Sequence, residues 1–291
     1  MTDPVADPSG EAPTPEPAGI LSRELQLRLV SGAVVGLVAL AMAYWGAKPF
    51  AVLVFLVAAV MSWEWGRLVR PGAPDTVMGV HIAAVLAAAL LTGWGMAGLG
   101  LAALVTGAIT VAALMFGSGR ARLSGLGVFY TGLPVVALGW LRGDPSLGFL
   151  AVIFVLLAVV MADTAAYFAG RQIGGPKLWP AVSPNKTWAG LIGGVAAAGF
   201  VGALFPILTG SGYAIWLAPL GLLLGLVAQG GDLAESALKR QYGVKDASEL
   251  IPGHGGFMDR MDGVVTASVA AALIALAIDA YAPARAVLYG S

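Results

Sequence analysis

The chain has 291 residues, 58% hydrophobic and only 11% charged, against about 45–50% apolar and about 25% charged in ordinary globular domains. That balance excludes an ordinary soluble protein and points to a membrane protein. Sixteen basic and sixteen acidic residues leave no net field to attract nucleic acid, and the lack of cysteine excludes disulfides, thiolate metal sites and cysteine nucleophiles.

Residues 1–22 are rich in proline, acidic and small residues and lack a basic stretch followed by an apolar core. They predict a solvated, disordered tail rather than a signal peptide. From Leu29 onward, apolar runs of membrane length alternate with short polar connections. They predict nine spans, over 29–46, 49–66, 77–94, 96–116, 125–141, 147–169, 188–209, 213–230 and 260–281. The first two are joined only by Ala47-Lys48-Pro49 and can also form one bent hairpin. The fifth is short and interrupted by Pro134. The runs are continuous rather than alternating, so helices are expected and a barrel is not. The fold expected is therefore all-α: a polytopic transmembrane helix bundle, with residues 23–146 as an N-terminal transmembrane region and 147–291 as the region holding the chemistry.

Charge placement sets the orientation. With the N-terminus inside, the inner connections hold Arg23, Arg28, Arg67, Arg70, Arg120, Arg122, Arg171, Lys177, Lys186, Lys239, Arg240, Lys245 and Arg260. The outer side holds only Lys48, Arg142 and Arg285. This asymmetry predicts a multi-pass protein of the cell (inner) membrane with its polar site on the cytoplasmic side. Trp45, Trp63, Trp65, Trp94 and Trp140 fall near span ends and read as interfacial anchors. Gly190, Gly193, Gly194 and Gly202 in the seventh span predict close helix packing.

Two cytoplasmic connections concentrate the polar groups. The first covers 163–190. Asp163 lies inside an apolar run, where a carboxylate costs up to about 2.5–3.5 kcal/mol at helix centre. Either Arg171 or a neighbour pairs with it, or it belongs to a polar cavity; Tyr167 shares its face at i+4. Ser183-Pro184-Asn185-Lys186-Thr187 is expected to open the next helix, offering free N–H groups and a lysine to an anion. Lys186 also fits a simple positive-inside residue.

The second connection covers 230–263. If 232–242 is helical, Asp232, Glu235, Ser236, Lys239 and Arg240 share one face. Pro252-Gly253-His254-Gly255-Gly256 is a flexible loop that lets backbone approach a phosphate. Asp259 and Asp262 follow, three apart at a helix start. Paired carboxylates without His or Cys partners suit Mg²⁺, which binds through one or two carboxylates plus substrate phosphates. Asp232 is the natural third ligand if its helix folds back beside the last span. Lys239, Arg240, Lys245 and Arg260 supply positive charge for a polyphosphate, an arrangement suited to phosphoryl or nucleotidyl transfer. His81, inside an apolar span, reads as a packing residue. His254 is placed to contact phosphate or to protonate a departing group.

Together, Ser236, Lys239-Arg240, Lys245-Asp246, Pro252, His254-Gly255-Gly256, Asp259-Arg260 and Asp262 resemble the signature of phosphatidate cytidylyltransferases. Asp163, Tyr167, Gly170-Arg171, Ser183-Pro184, Lys186-Thr187 and Gly190 are also similar to that family. The resemblance covers about 160–265; the N-terminal spans match only as generic hydrophobic helices. It implies transfer from CTP to phosphatidic acid, giving CDP-diacylglycerol and pyrophosphate, by a homodimer in membrane lipid. It further implies a divalent metal, Mg²⁺, on Asp232, Asp259 and Asp262, with a monovalent cation such as K⁺ beside it. Ser183, Lys186, Ser236, Lys239, Arg240 and Lys245 would lie near phosphates, with Asp246 also in the site. Thr187, Gly255, Gly256, Arg260 and Asp163 are expected to bind substrate, and His254 joins the catalytic set. The runner-up readings are a CTP-dependent lipid kinase or an archaeal-type lipid cytidylyltransferase. A transporter fits poorly, because no internal repeat is present and the polar residues sit in one half.

Overall fold

The computed structural model of the protein describes residues 36–73, 75–248, 250 and 255–291. The tail expected over 1–22, the start of the first apolar run and His254 lie outside the described residues. The chain divides into two units, 1–41 and 42–291, and every site residue considered below belongs to the second.

The described residues form an apolar helix α1 (Gly36–Trp45), then α2 (Ala47–Val69), α3 (Asp75–Gly93), α4 (Ala97–Leu114), α5 (Ala121–Arg142) and α6 (Gly148–Gln172). A hairpin of β1 (Lys177–Trp179) and β2 (Ser183–Thr187) leads into α7 (Trp188–Thr209), α8 (Ala214–Gln241), α9 (Met258–Ile278) and the short α10 (Pro283–Tyr289). The eight helices α2–α9 are each long and apolar enough to cross a membrane. In hydrocarbon every backbone N–H and C=O must find its partner within the chain, and a continuous apolar run achieves this as a helix. Large side chains such as Leu56, Ile109, Ile192 and Phe200 point outward, as they do against lipid, while Phe154, Leu141, Leu217 and Leu224 fill the interior. The protein is a multi-pass all-α membrane bundle, as its composition predicts.

Helices α2–α5 pack on one another, and α6, α7 and α8 pack side by side with α9 against α8; α5 also lies along α9 and joins the two sets. The expected close packing of α7 is present. A Cβ on Gly194 would lie 2.6 Å from the Ala162 carbonyl oxygen, and one on Gly202 only 1.9 Å from that of Leu217.

Four expectations change. Pro134 does not break its helix: α5 runs through it from Ala121 to Arg142, because buried neighbours hold the backbone where the missing N–H leaves a gap. Trp65 is not an interfacial anchor. It is buried, donates from Nε1 to the Leu123 carbonyl at 3.1 Å and lies against Tyr130. The segment from Ser183 to Thr187 is a strand rather than a first helical turn, and Thr187 ends it as the α7 N-cap, accepting from the Gly190 N–H at 3.1 Å. The eighth span does not stop near 230: α8 continues unbroken to Gln241 and carries the acidic and basic residues with it.

Candidate active site

The hairpin, the end of α6, the last turns of α8 and the first turn of α9 meet around a cleft of about 670 Å³. Each element contributes charge. Asp163, Tyr167 and Arg171 enter from α6, Lys177, Lys186 and Thr187 from the hairpin, Gln229, Asp232 and Lys239 from α8, and Asp259, Arg260 and Asp262 from α9. Two stretches that are separate in sequence are therefore one site, because α8 and α9 pack directly together and α7 returns the hairpin to α8.

Asp163 is not paired with Arg171. Its Oδ1 accepts from Gln229 Nε2 at 2.8 Å, while Arg171 Nη1 donates to the Tyr167 hydroxyl at 2.8 Å. Lys186 Nζ lies 2.6 Å from Asp232 Oδ2 and donates to Gln229 Oε1 at 3.3 Å. Ser236 Oγ donates to Asp232 Oδ1 at 3.3 Å. Lys239 Nζ, buried, is held between Glu235 Oε1 at 3.3 Å and Asp259 Oδ1. The other oxygen of Asp259 accepts from the N–H groups of Ala247 at 3.0 Å and Gly256 at 2.8 Å. Asp262 accepts from the Gly263 N–H at 2.6 Å and, among the described residues, has no ion-pair partner.

Not every candidate reaches this cleft. Ser183, Ser236, Arg240, Lys245, Asp246, Gly255 and Gly256 are not part of its lining. Ser236 instead contacts Asp232, which does line it. Arg240 turns to the carbonyls of Val182 at 3.3 Å and Val244 at 3.4 Å, bracing the hairpin against the end of α8. Lys245 and Asp246 line a second cleft of about 970 Å³ with Trp63, Arg67 and Tyr242. Gly255 has φ +79°, a left-handed conformation that favours glycine, and a Cβ there would meet Asp246 at 3.1 Å.

Asp232, Asp259 and Asp262 share the cleft, yet among the described residues no three His, Cys, Asp or Glu side chains are arranged to hold a metal ion by themselves. Asp232 and Asp259 are each engaged by a lysine. An all-oxygen donor set that does not form a closed cage is the kind Mg²⁺ uses when substrate phosphates complete its shell.

Sequence reasoning put Glu235 on the shared face of α8 without giving it a role, and it missed Gln229, Glu64 and Tyr130. Glu235 is buried and accepts from the Tyr130 hydroxyl at 2.6 Å, tying α5 to α8 beneath Lys239. Gln229 bridges Asp163 and Lys186. Glu64, fully buried in α2, accepts from the N–H groups that begin α9. A carboxylate inside an apolar run marks a functional position by default, and that signal was present in the sequence at Glu64. Tyr130 carries no such mark.

A cleft at the ends of membrane helices, lined by lysines set against aspartates, suits two anionic substrates of which one is a lipid. The comparisons agree with it. The chain is 40% identical over 246 residues to a phosphatidate cytidylyltransferase of Brucella suis biovar 1, covering 84% of this chain and 90% of that one. It is 38% identical over 138 residues to a phosphatidate cytidylyltransferase of Staphylococcus saprophyticus, covering 47% of this chain and 52% of that one. The sequence pattern of the cytidylyltransferase family matches residues 26–278, from the first span through the whole of α9. With most of its length and all of its cleft inside that match, the chain belongs to the cytidylyltransferase family.

Proposed function

We propose that the protein is a phosphatidate cytidylyltransferase: it joins CTP and phosphatidic acid into CDP-diacylglycerol and releases pyrophosphate. The observation that carries this reading is the pairing of Lys186 with Asp232 and of Lys239 with Asp259 inside one cleft at the ends of α6, α8 and α9. Lysines already held in place, and able to exchange a carboxylate oxygen for a phosphate oxygen, are preorganised for a polyphosphate. The name shared by the Brucella and Staphylococcus relatives points to the same substrates.

In the reaction a phosphate oxygen of phosphatidic acid forms a bond to the α-phosphorus of CTP. The bond from that phosphorus to the oxygen bridging to the β-phosphate breaks, and pyrophosphate leaves with the electron pair. Lys186, Lys239 and Arg260 hold the negative charge of the two substrates together, which is most of what such a transfer needs. Asp163 and Gln229 position Lys186 from below. Asp232, Asp259 and Asp262 are the residues that would hold Mg²⁺, and K⁺ is the monovalent cation proposed with it; a bound divalent ion would supply charge neutralisation for the phosphates. The excess of basic residues in the connections on one side supports a site on the cytoplasmic surface of the cell membrane. The family resemblance supports a homodimer as the working unit.

The test is the fate of label in CTP. With purified protein and phosphatidic acid, label at the α-phosphate enters the lipid and unlabelled pyrophosphate is released; a chelator stops the reaction and Mg²⁺ restores it. Entry of γ-phosphate label into lipid, with CDP released, would instead establish the kinase reading and overturn this one.

A further inference from the structure

Glu64 lies in α2, far outside the stretches that resemble the family signature, and is fully buried. Apart from Asp75 in the first turn of α3, it is the only acidic residue in α2–α5. A carboxylate in such a place is costly unless hydrogen bonds satisfy it. Three groups do so, two from the strap between α8 and α9 (residues 242–257) and one from Met258, the first residue of α9. Oε1 accepts from Ser248 Oγ at 2.5 Å and from the Phe257 N–H at 2.7 Å, and Oε2 accepts from the Met258 N–H at 2.6 Å. The first N–H groups of a helix have no partner of their own, and negative charge there is favourable. Glu64 thus serves as a cap delivered by another span.

The same strap is gripped from its other side. Asp259 accepts from the N–H groups of Ala247 and Gly256. A Cβ on Gly256 would stand 2.8 Å from Asp259 Oδ2 and 3.0 Å from both Glu64 Oε1 and the Ser248 N, so a larger residue there would push the two carboxylates aside. Contact between α2 and α9 does not itself depend on Glu64, because Met61, Trp65, Met258 and Val265 form a buried apolar cluster across them. What the carboxylate adds is the placement of the first turn of α9, which carries Asp259, Arg260 and Asp262 into the cleft.

We infer that Glu64 is a positioning residue for cytidylyl transfer: it fixes the start of α9 so that the aspartates of that turn stand in register with Lys239 and the substrates. The inference rests on the transferase reading above. A residue with this role is needed at the transition state more than for ground-state binding, so its loss falls on kcat rather than on KM.

The experiment compares purified wild type, Glu64→Gln, Glu64→Ala and Ser248→Ala in CDP-diacylglycerol formation, with amide exchange followed over 255–262. Gln keeps one acceptor oxygen and turns an NH₂ donor toward N–H groups, so it cannot satisfy all three partners. Expected for Glu64→Gln is a kcat lower by roughly 10–100-fold, KM for CTP and for lipid within about threefold, and faster exchange over 255–262. Ser248→Ala, which leaves both backbone bonds intact, stays within about threefold of wild-type kcat. Where Glu64→Ala fails to fold, Glu64→Gln decides. Wild-type kcat in folded Glu64→Gln, a loss confined to KM, or unchanged exchange would each overturn the inference alone. A wild-type protein that makes no CDP-lipid would overturn the transferase reading itself, and the role of Glu64 with it.

Discussion

Lys239 shows how closely the charges of this site are coupled. One ammonium serves Glu235 and Asp259, and Glu235 in turn accepts from Tyr130. Removing one member of such a buried set leaves an uncompensated charge and costs about 3–5 kcal/mol, so variants at Lys239 or Glu235 confound stability with chemistry. The pair of Lys186 and Asp232 is more open, with side chains 18% and 32% exposed, and offers a cleaner probe. Lys186→Ala is expected to raise KM for CTP by roughly 10-fold with a smaller change in kcat. Its thermal stability in detergent should fall by no more than about 1 kcal/mol. Steady-state kinetics at varied CTP measure this, and an unchanged KM removes Lys186 from the phosphate contacts.

At the scale of the helices, close approach of backbones sets the geometry of the site. Gly202 brings α7 against α8 at the Leu217 carbonyl, and α8 is the helix that carries Asp232 and Lys239. Gly202→Ala is expected to destabilise the protein by about 1–3 kcal/mol, since the helices must part to admit a methyl group. Gly79→Ala on the open face of α3, where no neighbour lies within 4 Å, should be neutral or slightly stabilising. Thermal unfolding of both in one detergent measures the difference, and equal midpoints contradict the packing role. The spans themselves were legible because each is a continuous apolar run. Other features were not. The hairpin between α6 and α7 is only three and five residues per strand, too short for alternation to register. The run of α8 beyond 230 is polar, so its helical continuation could be read only conditionally, from the shared face of Asp232, Glu235, Ser236, Lys239 and Arg240. Pro134 reads as a break because local sequence does not reveal the neighbours that hold α5 through it.

For the molecule as a whole, the site draws on both halves. The family resemblance over 163–262 named Asp163, Lys186, Asp232, Lys239, Asp259 and Asp262 together, and all six line one cleft; spacing alone left Asp163 and Lys186 with other readings. The partners of the supports from the N-terminal half were hidden, even where Glu64 stood out as a carboxylate in an apolar run. Tyr130 meets Glu235 across 105 residues and Glu64 meets Met258 across 194, and nothing in local spacing announces partners at that range. Lys245 and Asp246, adjacent to the site in sequence, instead face a neighbouring cleft with Arg67 and Trp63. In the proposed transfer, Asp259, which joins Lys239 of α8 to the N–H groups of Ala247 and Gly256, is the residue whose loss should cost most. The direct measurement is CDP-diacylglycerol formation from CTP and phosphatidic acid by purified wild-type protein and Asp259→Asn, both confirmed as folded in membranes. Wild type should form the product, and Asp259→Asn should be slower by ~100-fold or more. Equal rates in the two would contradict the site described here.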